Sequence, residues 1–240
     1  MKENSKLTLV TQAKNGCDLN TCFLCTSCVK DWKPALDAHK QNFIIKKGQQ
    51  IFKEGDPVKG IYFVYKGKIK VHKKWDNEKE LILRFAQTGD IVGHLGLGDT
   101  ELYPVSATAI ETGVICYIDM DFLESTMNVN NGFVIKLMRF FANELQESEK
   151  RMRNLAHMSV KGRVAQAFIS LKNKFGINTN GFINIELSRQ DLASFSGAAY
   201  ESLFRTINDL VADNIITIEG KSMSIKNEDR LLQLISKNEY

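Results

Sequence analysis

Between Asn42 and about Phe122 the chain alternates apolar and polar residues in short runs: "NFIIKKG", "QIFKEGD", "GIYFVYKG", "KIKVHKK", "LILRFAQTG", "SATAIETG" and "VICYID". Glycines at 48, 55, 60, 67, 89, 93, 96 and 98 punctuate them. Period-two runs separated by turn residues predict an antiparallel β-roll or barrel. The preceding segment, 1–41, is polar, with one short helix expected around "KPALDAHK". After the strands the period changes. In "NNGFVIKLMRFFANELQESEKRMRNLAHM", Val134, Met138, Phe141, Leu145, Ser148, Met152 and Leu155 recur in alternating steps of four and three. That is the spacing of an a/d seam, with Glu144, Glu147, Lys150, Arg151 and Arg153 outside it. It predicts one long helix over 129–158 along which two copies pair; packing on its own domain is the alternative. Ser148, the polar step, would leave the dimer adjustable.

From Ser159 the chain reads as helical and then closes in a hairpin, "NIITIEGKSMSIKN", turning at Glu219-Gly220-Lys221. Within 159–240, Ser188 followed by Asp191 can cap a short helix. Leu192 and Phe195 give that helix an apolar side, and Ser196-Gly197 breaks it. A second helix is predicted from Ala199 to Ala212. Leu203, Ile207, Leu210 and Val211 fall on its buried side, and Glu201, Arg205 and Asn208 opposite. Helix, glycine turn, helix and hairpin in this order predict a winged helix-turn-helix. Arg205 can pair bidentately with guanine and Glu201 can accept from cytosine. A surface ion pair between them is the plainer alternative, worth about 0.3–0.5 kcal/mol. Ser188, Arg189, Gln190 and Lys221 sit at a helix start and a wing tip, where phosphates are held.

The 240 residues are 43% hydrophobic and carry a net charge of +4. The chain can therefore bury a core, and a polyanionic partner is permitted but not specified. From Lys161 onward acidic and basic residues nearly balance, so the DNA reading rests on pattern. No apolar run is long enough to span a membrane and the first residues do not form a secretory signal, which implies a cytoplasmic protein with reduced thiols. Four of the five cysteines, Cys17, Cys22, Cys25 and Cys28, lie in "CDLNTCFLCTSC"; Cys116 stands alone in "GVICYID". The spacing C-x2-C-x2-C is that of loops that wrap an iron–sulfur cube. A closed zinc site of Cys17, Cys22, Cys25 and Cys28 is the rival, although its two-residue gaps would crowd one tetrahedral ion. Cys116 shares a strand face with Val114 and Ile118, as a plain buried cysteine also would. The histidines at 39, 72, 94 and 157 show no pairing that would indicate haem.

"KKGQQIFKEGD", "GIYFVYKGKIKV", "GDIVGHLGL", the long helix and "SRQDLASFSGAAYESLFRTINDLVADNIITIEGKSMSI" occur in an order that resembles the Crp/Fnr family of bacterial transcription regulators over residues 42–230. The resemblance implies an α+β protein: an N-terminal antiparallel β-roll (a cyclic-nucleotide-binding-like jelly roll), a long dimerisation helix and a C-terminal winged helix-turn-helix. The corresponding domains are a cysteine-rich arm (1–41), the roll as sensor (42–128), the helix (129–158) and the DNA-binding domain (159–240). Cyclic-nucleotide-binding members carry Gly-Glu and Arg-Ser pairs. Here the Glu position is His94, read as a satisfied loop histidine, and the Arg position is Val105 beside Ser106. A buried phosphate without a cation is a poor site, so cyclic AMP is not expected as effector. The run "LYPVSATAIETGVICYIDMDFLES" resembles the segment in which Fnr proteins hold a remote ligand. This implies a [4Fe–4S] cluster on Cys22, Cys25, Cys28 and Cys116, with Cys17 as a possible substitute.

Fnr proteins usually show a wider gap before their third N-terminal cysteine, so the arm must follow a different path. In the reading helix Ala199 replaces the usual Ser or Thr cap, and Glu201-Ser202-Leu203-Phe204-Arg205 departs from Glu-x-x-Ser-Arg. Ser202 and Phe204, the latter against a thymine methyl, complete the expected base contacts. The implied function is an oxygen- or nitric-oxide-responsive homodimer that binds a palindromic site and works with RNA polymerase. A regulator sensing haem or another ligand is the alternative within this class. An iron–sulfur redox enzyme is the one outside it, although no second cofactor motif or nucleophile–base constellation is present.

Overall fold

The computed structural model describes residues 20–76 and 79–236. A 3-10 turn at Lys30–Trp32 leads into α1 (Lys33–His39), where Pro34 occupies the first turn and its missing N–H is no loss. The alternating runs then form β1 (Gln41–Ile45), β2 (Gln50–Phe52), β3 (Gly60–Lys66), β4 (Lys68–Lys74), β5 (Glu80–Gln87), β6 (Ile91–Val92), β7 (Ser106–Ala109) and β8 (Gly113–Asp119). They make two antiparallel four-stranded sheets, ordered β1-β8-β3-β6 and β2-β7-β4-β5. Next come α2 (Met120–Val129), capped by the Asp119 carboxylate accepting from the Phe122 N–H, and α3 (Asn131–His157). The chain divides into two units between Asn143 and Glu144. No helix among the described residues is long and apolar enough to cross a membrane.

The strand period sorts side chains into two cores in the first unit. Tyr62, Val64, Ile115 and Tyr117 point between the sheets with Phe52, Ile69, Val71 and Ala107. Ile61, Phe63, Cys116 and Ile118 point from the other face of the same sheet. There they meet Leu24 and Cys25, Leu36 of α1, Phe122 and Leu123 of α2, and Phe133 and Leu137 of α3. Each such side chain, fully buried, contributes about 1.5–3 kcal/mol, so the outer face is held as firmly as the inner one. The inner core is filled by rings: Phe52 stacks on Tyr103 at 4.0 Å and on Tyr62 at 5.6 Å, and the Tyr117 hydroxyl donates to the Lys59 carbonyl.

In the second unit α4 (Val160–Phe175) starts at Ser159, whose hydroxyl accepts from the Gly162 N–H. It is followed by α5 (Arg189–Ser196), α6 (Tyr200–Ala212), β9 (Ile216–Glu219), β10 (Ser222–Ile225) and α7 (Glu228–Ser236). Phe168, Leu171, Leu192, Leu203, Leu210, Met223 and Leu231 are buried. Glu219 pairs with Ser222, leaving Gly220-Lys221 as the two-residue loop, with Gly220 at φ 58°. Val211, expected on the buried side of α6, is 43% exposed. It lies one position beyond Leu210, and the drift of a 3.6-residue turn carries it off the buried stripe.

His94 corrects another expectation. It is buried in the short 3-10 turn His94–Leu97, edge-on to Phe140 at 4.8 Å and Phe141 at 5.4 Å, and neither ring nitrogen has a hydrogen-bond partner among the described residues. Burial, with the Arg84 charge adding to it, pushes its pKa down to about 3. A depressed folded-state pKa means that His94 favours folding above its ordinary value of 6.5 and opposes it progressively as pH falls towards 3. We expect wild type to lose about 2 kcal/mol more than His94→Leu between pH 7.5 and pH 5 in denaturant unfolding. Parallel pH profiles would refute this.

Candidate DNA-reading unit and cysteine centre

Cys22, Cys25 and Cys116 are buried and Cys28 is half-buried. The arm reaches them through a tight turn: the Thr26 N–H donates to the Cys22 carbonyl, the Cys28 N–H to the Leu24 carbonyl, and the Cys25 N–H to Cys22 Sγ at 3.2 Å. Cys116 comes from β8, opposite Phe63 on one side and Asn42 on the other. All four side chains pack in or against the outer core. Burial pushes the Cys28 thiol up to about 11; the nearby Cys22 adds to the rise and Lys136 offsets part of it. A ligand that needs thiolates must therefore displace protons on binding. Cys17 lies outside the described residues. Among the described residues no three His, Cys, Asp or Glu side chains converge as a single metal ion requires. The four cysteines thus share one apolar core without converging on a single point.

The arm is tied to the first turns of α3 by polar contacts that the spacing did not suggest. Lys136 Nζ donates to the Phe23 carbonyl at 3.2 Å and to Thr26 Oγ1 at 2.8 Å, and lies 4.6 Å from the centre of the Phe23 ring. Asn130, buried between α2 and α3, accepts from the Val29 N–H at 2.8 Å and donates to the Thr126 carbonyl at 2.9 Å. Thr126 in turn accepts from the Trp32 indole. Farther along α3, Met138, Leu145 and Met152 are each at least 60% exposed, Ser148 is exposed and Leu155 is 43% exposed, while Val134 and Phe141 are half-buried.

In the second unit Ser188 caps α5: its hydroxyl accepts from the Asp191 N–H at 3.0 Å and donates to the Asp191 carboxylate at 2.6 Å. Gly197 ends α5 with φ 62°, and a Cβ there would also stand 2.4 Å from the Leu155 side chain. Arg163 of α4 fixes this turn. Its guanidinium donates to the carbonyls of Ser196 (3.2 Å), Gly197 (3.1 Å) and Met158 (2.7 Å), capping α5 and the end of α3 together. Arg151 donates to the Phe195 carbonyl and lies over its ring. Ala199 begins α6 without a side-chain cap. Glu201, Phe204 and Arg205 are exposed and Ser202 is half-buried. Glu201 and Arg205 are not paired with each other or with any other described residue, so the plain ion pair is not formed. Arg189 is half-buried at the start of α5, with Gln190 exposed beside it and Lys221 exposed at the wing tip.

Residues 43–130 match the cyclic nucleotide-binding domain family, and residues 162–234 the Crp-like helix-turn-helix domain family. Over 178 residues the chain is 32% identical to the anaerobic regulatory protein of Bacillus subtilis (strain 168), covering 73% of this chain and 75% of that one. The chain belongs to the Crp/Fnr family. It is 28% identical over 239 residues to the transcriptional activator protein anr of Pseudomonas aeruginosa, spanning 98% of this chain and 97% of the relative. The FixK2 structure from Bradyrhizobium japonicum superposes with a TM-score of 0.72 at 23% identity, over 81% of this chain and 96% of that one, which establishes the shared fold. As a Crp/Fnr protein the chain is a DNA-binding transcriptional regulator, and its relatives are regulators rather than enzymes.

The Arg163 cap generates a prediction for this Crp/Fnr reading unit. Arg163→Ala leaves three carbonyls without their charged donor and should destabilise the second unit by about 2 kcal/mol, with a loss of DNA affinity from the loosened turn. Thermal unfolding and a gel shift check both effects. Unchanged stability and affinity would mean that the cap is dispensable.

Proposed function

We propose that this Crp/Fnr regulator is oxygen-responsive, with nitric oxide as a second possible signal. In this reading Cys22, Cys25, Cys28 and Cys116 hold a [4Fe–4S] cluster, and the protein binds a palindromic DNA site as a homodimer, acting with RNA polymerase in the cytoplasm. The observation that supports the reading is that four cysteines, three from the arm and one from β8, pack in or against one apolar core at the start of α3. The printed name of the Bacillus subtilis relative, an anaerobic regulatory protein, points the same way. Bound at these thiols, a cluster would supply a direct reaction with oxygen.

The chain's own residues do the rest. Lys136 and Asn130 transmit the seating of the arm to the first turns of α3. Met138, Leu145, Met152 and Leu155 offer an apolar stripe to a second copy, with Ser148 as the weak step. Pairing sets two copies of α6 one helical turn of DNA apart, as a palindrome requires. Arg205 and Glu201 read base edges while Ser188, Arg189, Gln190 and Lys221 hold phosphates. A coupling of a few kcal/mol is enough to switch such an equilibrium. Cyclic AMP has no part in this reading: Val105 is buried and apolar, the Ser106 hydroxyl accepts from the Glu54 N–H at 2.9 Å, and rings fill the roll.

The test is a gel shift on a palindromic probe under anaerobic conditions. Cys116→Ser should lower affinity by about tenfold or more, as should Leu145→Glu, which buries a charge in the seam and shifts the protein to monomer in size-exclusion chromatography. A Cys116→Ser protein that binds as wild type removes the cluster from the mechanism and leaves DNA binding intact.

A further inference from the structure

No serine, threonine or cysteine of the roll stands next to a histidine in the sequence, yet the fold assembles such a pair across three strands. Thr108 of β7 and His72 of β4 lie on the outer face of the β2-β7-β4-β5 sheet, alternating with Ile69, Val71, Ala107 and Ala109 of its inner face. The Thr108 hydroxyl is 2.9 Å from His72 Nε2. On the other side of the ring, Nδ1 lies 2.8 Å from Oε2 of Glu80 on β5, off the line of an ideal hydrogen bond. Contacts of this kind commonly tighten only when a reacting group is bound. Lys70 pairs with the other Glu80 oxygen. His72, more than Lys70, holds the Glu80 carboxyl down at about 2 against the opposing effect of burial, so it is ionised at neutral pH. An ionised carboxylate only accepts. In the neutral imidazole the hydrogen therefore sits on Nδ1, and Nε2 accepts from the Thr108 O–H.

The strands do not need this cluster. Backbone pairing already joins β7 to β4 and β4 to β5, and apolar side chains would fill the place without burying an imidazole beside a charge. His72 is 3% exposed, whereas Thr108 is half-buried and can be reached from solvent. A hydroxyl, a base that takes its proton and a carboxylate that orients the base make an activated nucleophile. Lys68 and Lys70 share the outer face, Lys70 directly opposite Thr108 in the register. Each already holds one carboxylate, Glu111 and Glu80, so the face suits a small anion rather than a polyanion. We propose that Thr108 is a self-acylation site that takes its acyl group from a small acyl phosphate. The Thr108 oxygen bonds to the acyl carbon as the bond from that carbon to the phosphate oxygen breaks. The hydroxyl proton passes to His72 Nε2 and from there to the departing phosphate, which restores the neutral ring. Lys70 supplies positive charge on that side as negative charge develops on the carbonyl oxygen. Each chain is marked once, so the protein remains a regulator rather than an enzyme. The mark depends neither on the cysteines nor on α6.

The test incubates the full-length protein with acetyl phosphate and follows its intact mass and peptide map. Wild type should gain an acetyl group on Thr108 that alkaline hydroxylamine removes, because an ester yields to it and a lysine amide does not. Thr108→Ser should keep the mark and Thr108→Val should lose it. His72→Gln, which keeps hydrogen-bonding groups but takes no proton, should slow it about a hundredfold or more. Glu80 acts through His72, so Glu80→Gln should slow the mark less and Glu80→Asp should restore part of the rate. Thermal unfolding checks that each variant folds. If Thr108→Val does not, the wild-type peptide map and Thr108→Ser decide the case. Acetyl groups on lysines alone overturn the inference. So does an ester on a residue other than Thr108, or labelling of Thr108 in His72→Gln at the wild-type rate.

Discussion

The strands β3 and β8 are buried on both faces, and the alternation of their side chains is the constraint on which the first unit depends. Ile115 and Tyr117 look into the roll; Cys116 and Ile118 look out towards the arm. A slip of one residue would send Cys116 into the ring-filled interior and Tyr117 under the arm. The pairing of Cys116 with Phe63, and of Ile118 with Ile61, holds the register that keeps a thiol on the outer face. Packing inside the roll thus decides what chemistry is available outside it.

The outer face would be a plain hydrophobic contact if the arm, α2 and α3 only covered it. Polar contacts make it directional. Asn130 interrupts the helical path between α2 and α3 and spends its amide on the arm and on Thr126. Lys136 reaches back from α3 to the turn that carries the cysteines. Both bonds join chain segments about a hundred residues apart in sequence, so the arm cannot be reseated without disturbing the start of α3. His94, wedged against Phe140 and Phe141, adds a buried contact between the roll and the same helix.

Much of this was legible in the sequence where one element carries its own signal. Period two gave the strands and put Cys116 on the face of Ile118. Ser188 with Asp191, Gly197 and Gly220 marked a cap and two turns because each acts on neighbours within a few residues. Long-range partners left no such trace. Asn130, Lys136 and Arg163 look like ordinary polar residues of helical runs, and only the tertiary fold brings carbonyls to them. Helix α2 was hidden by the strand-like run before it, and α7 by its position after the hairpin. The empty hydrogen-bonding positions of His94 could not be read from its loop, since they depend on two rings of α3.

The central claim is that thiols of the arm and of β8 share one polynuclear group. The most direct measurement is the iron and acid-labile sulfide content of protein purified without oxygen, together with its absorbance spectrum before and after air. The account predicts about four irons and four sulfides per chain, a brown protein, and bleaching in air. A colourless protein holding one zinc, or no metal, would contradict it.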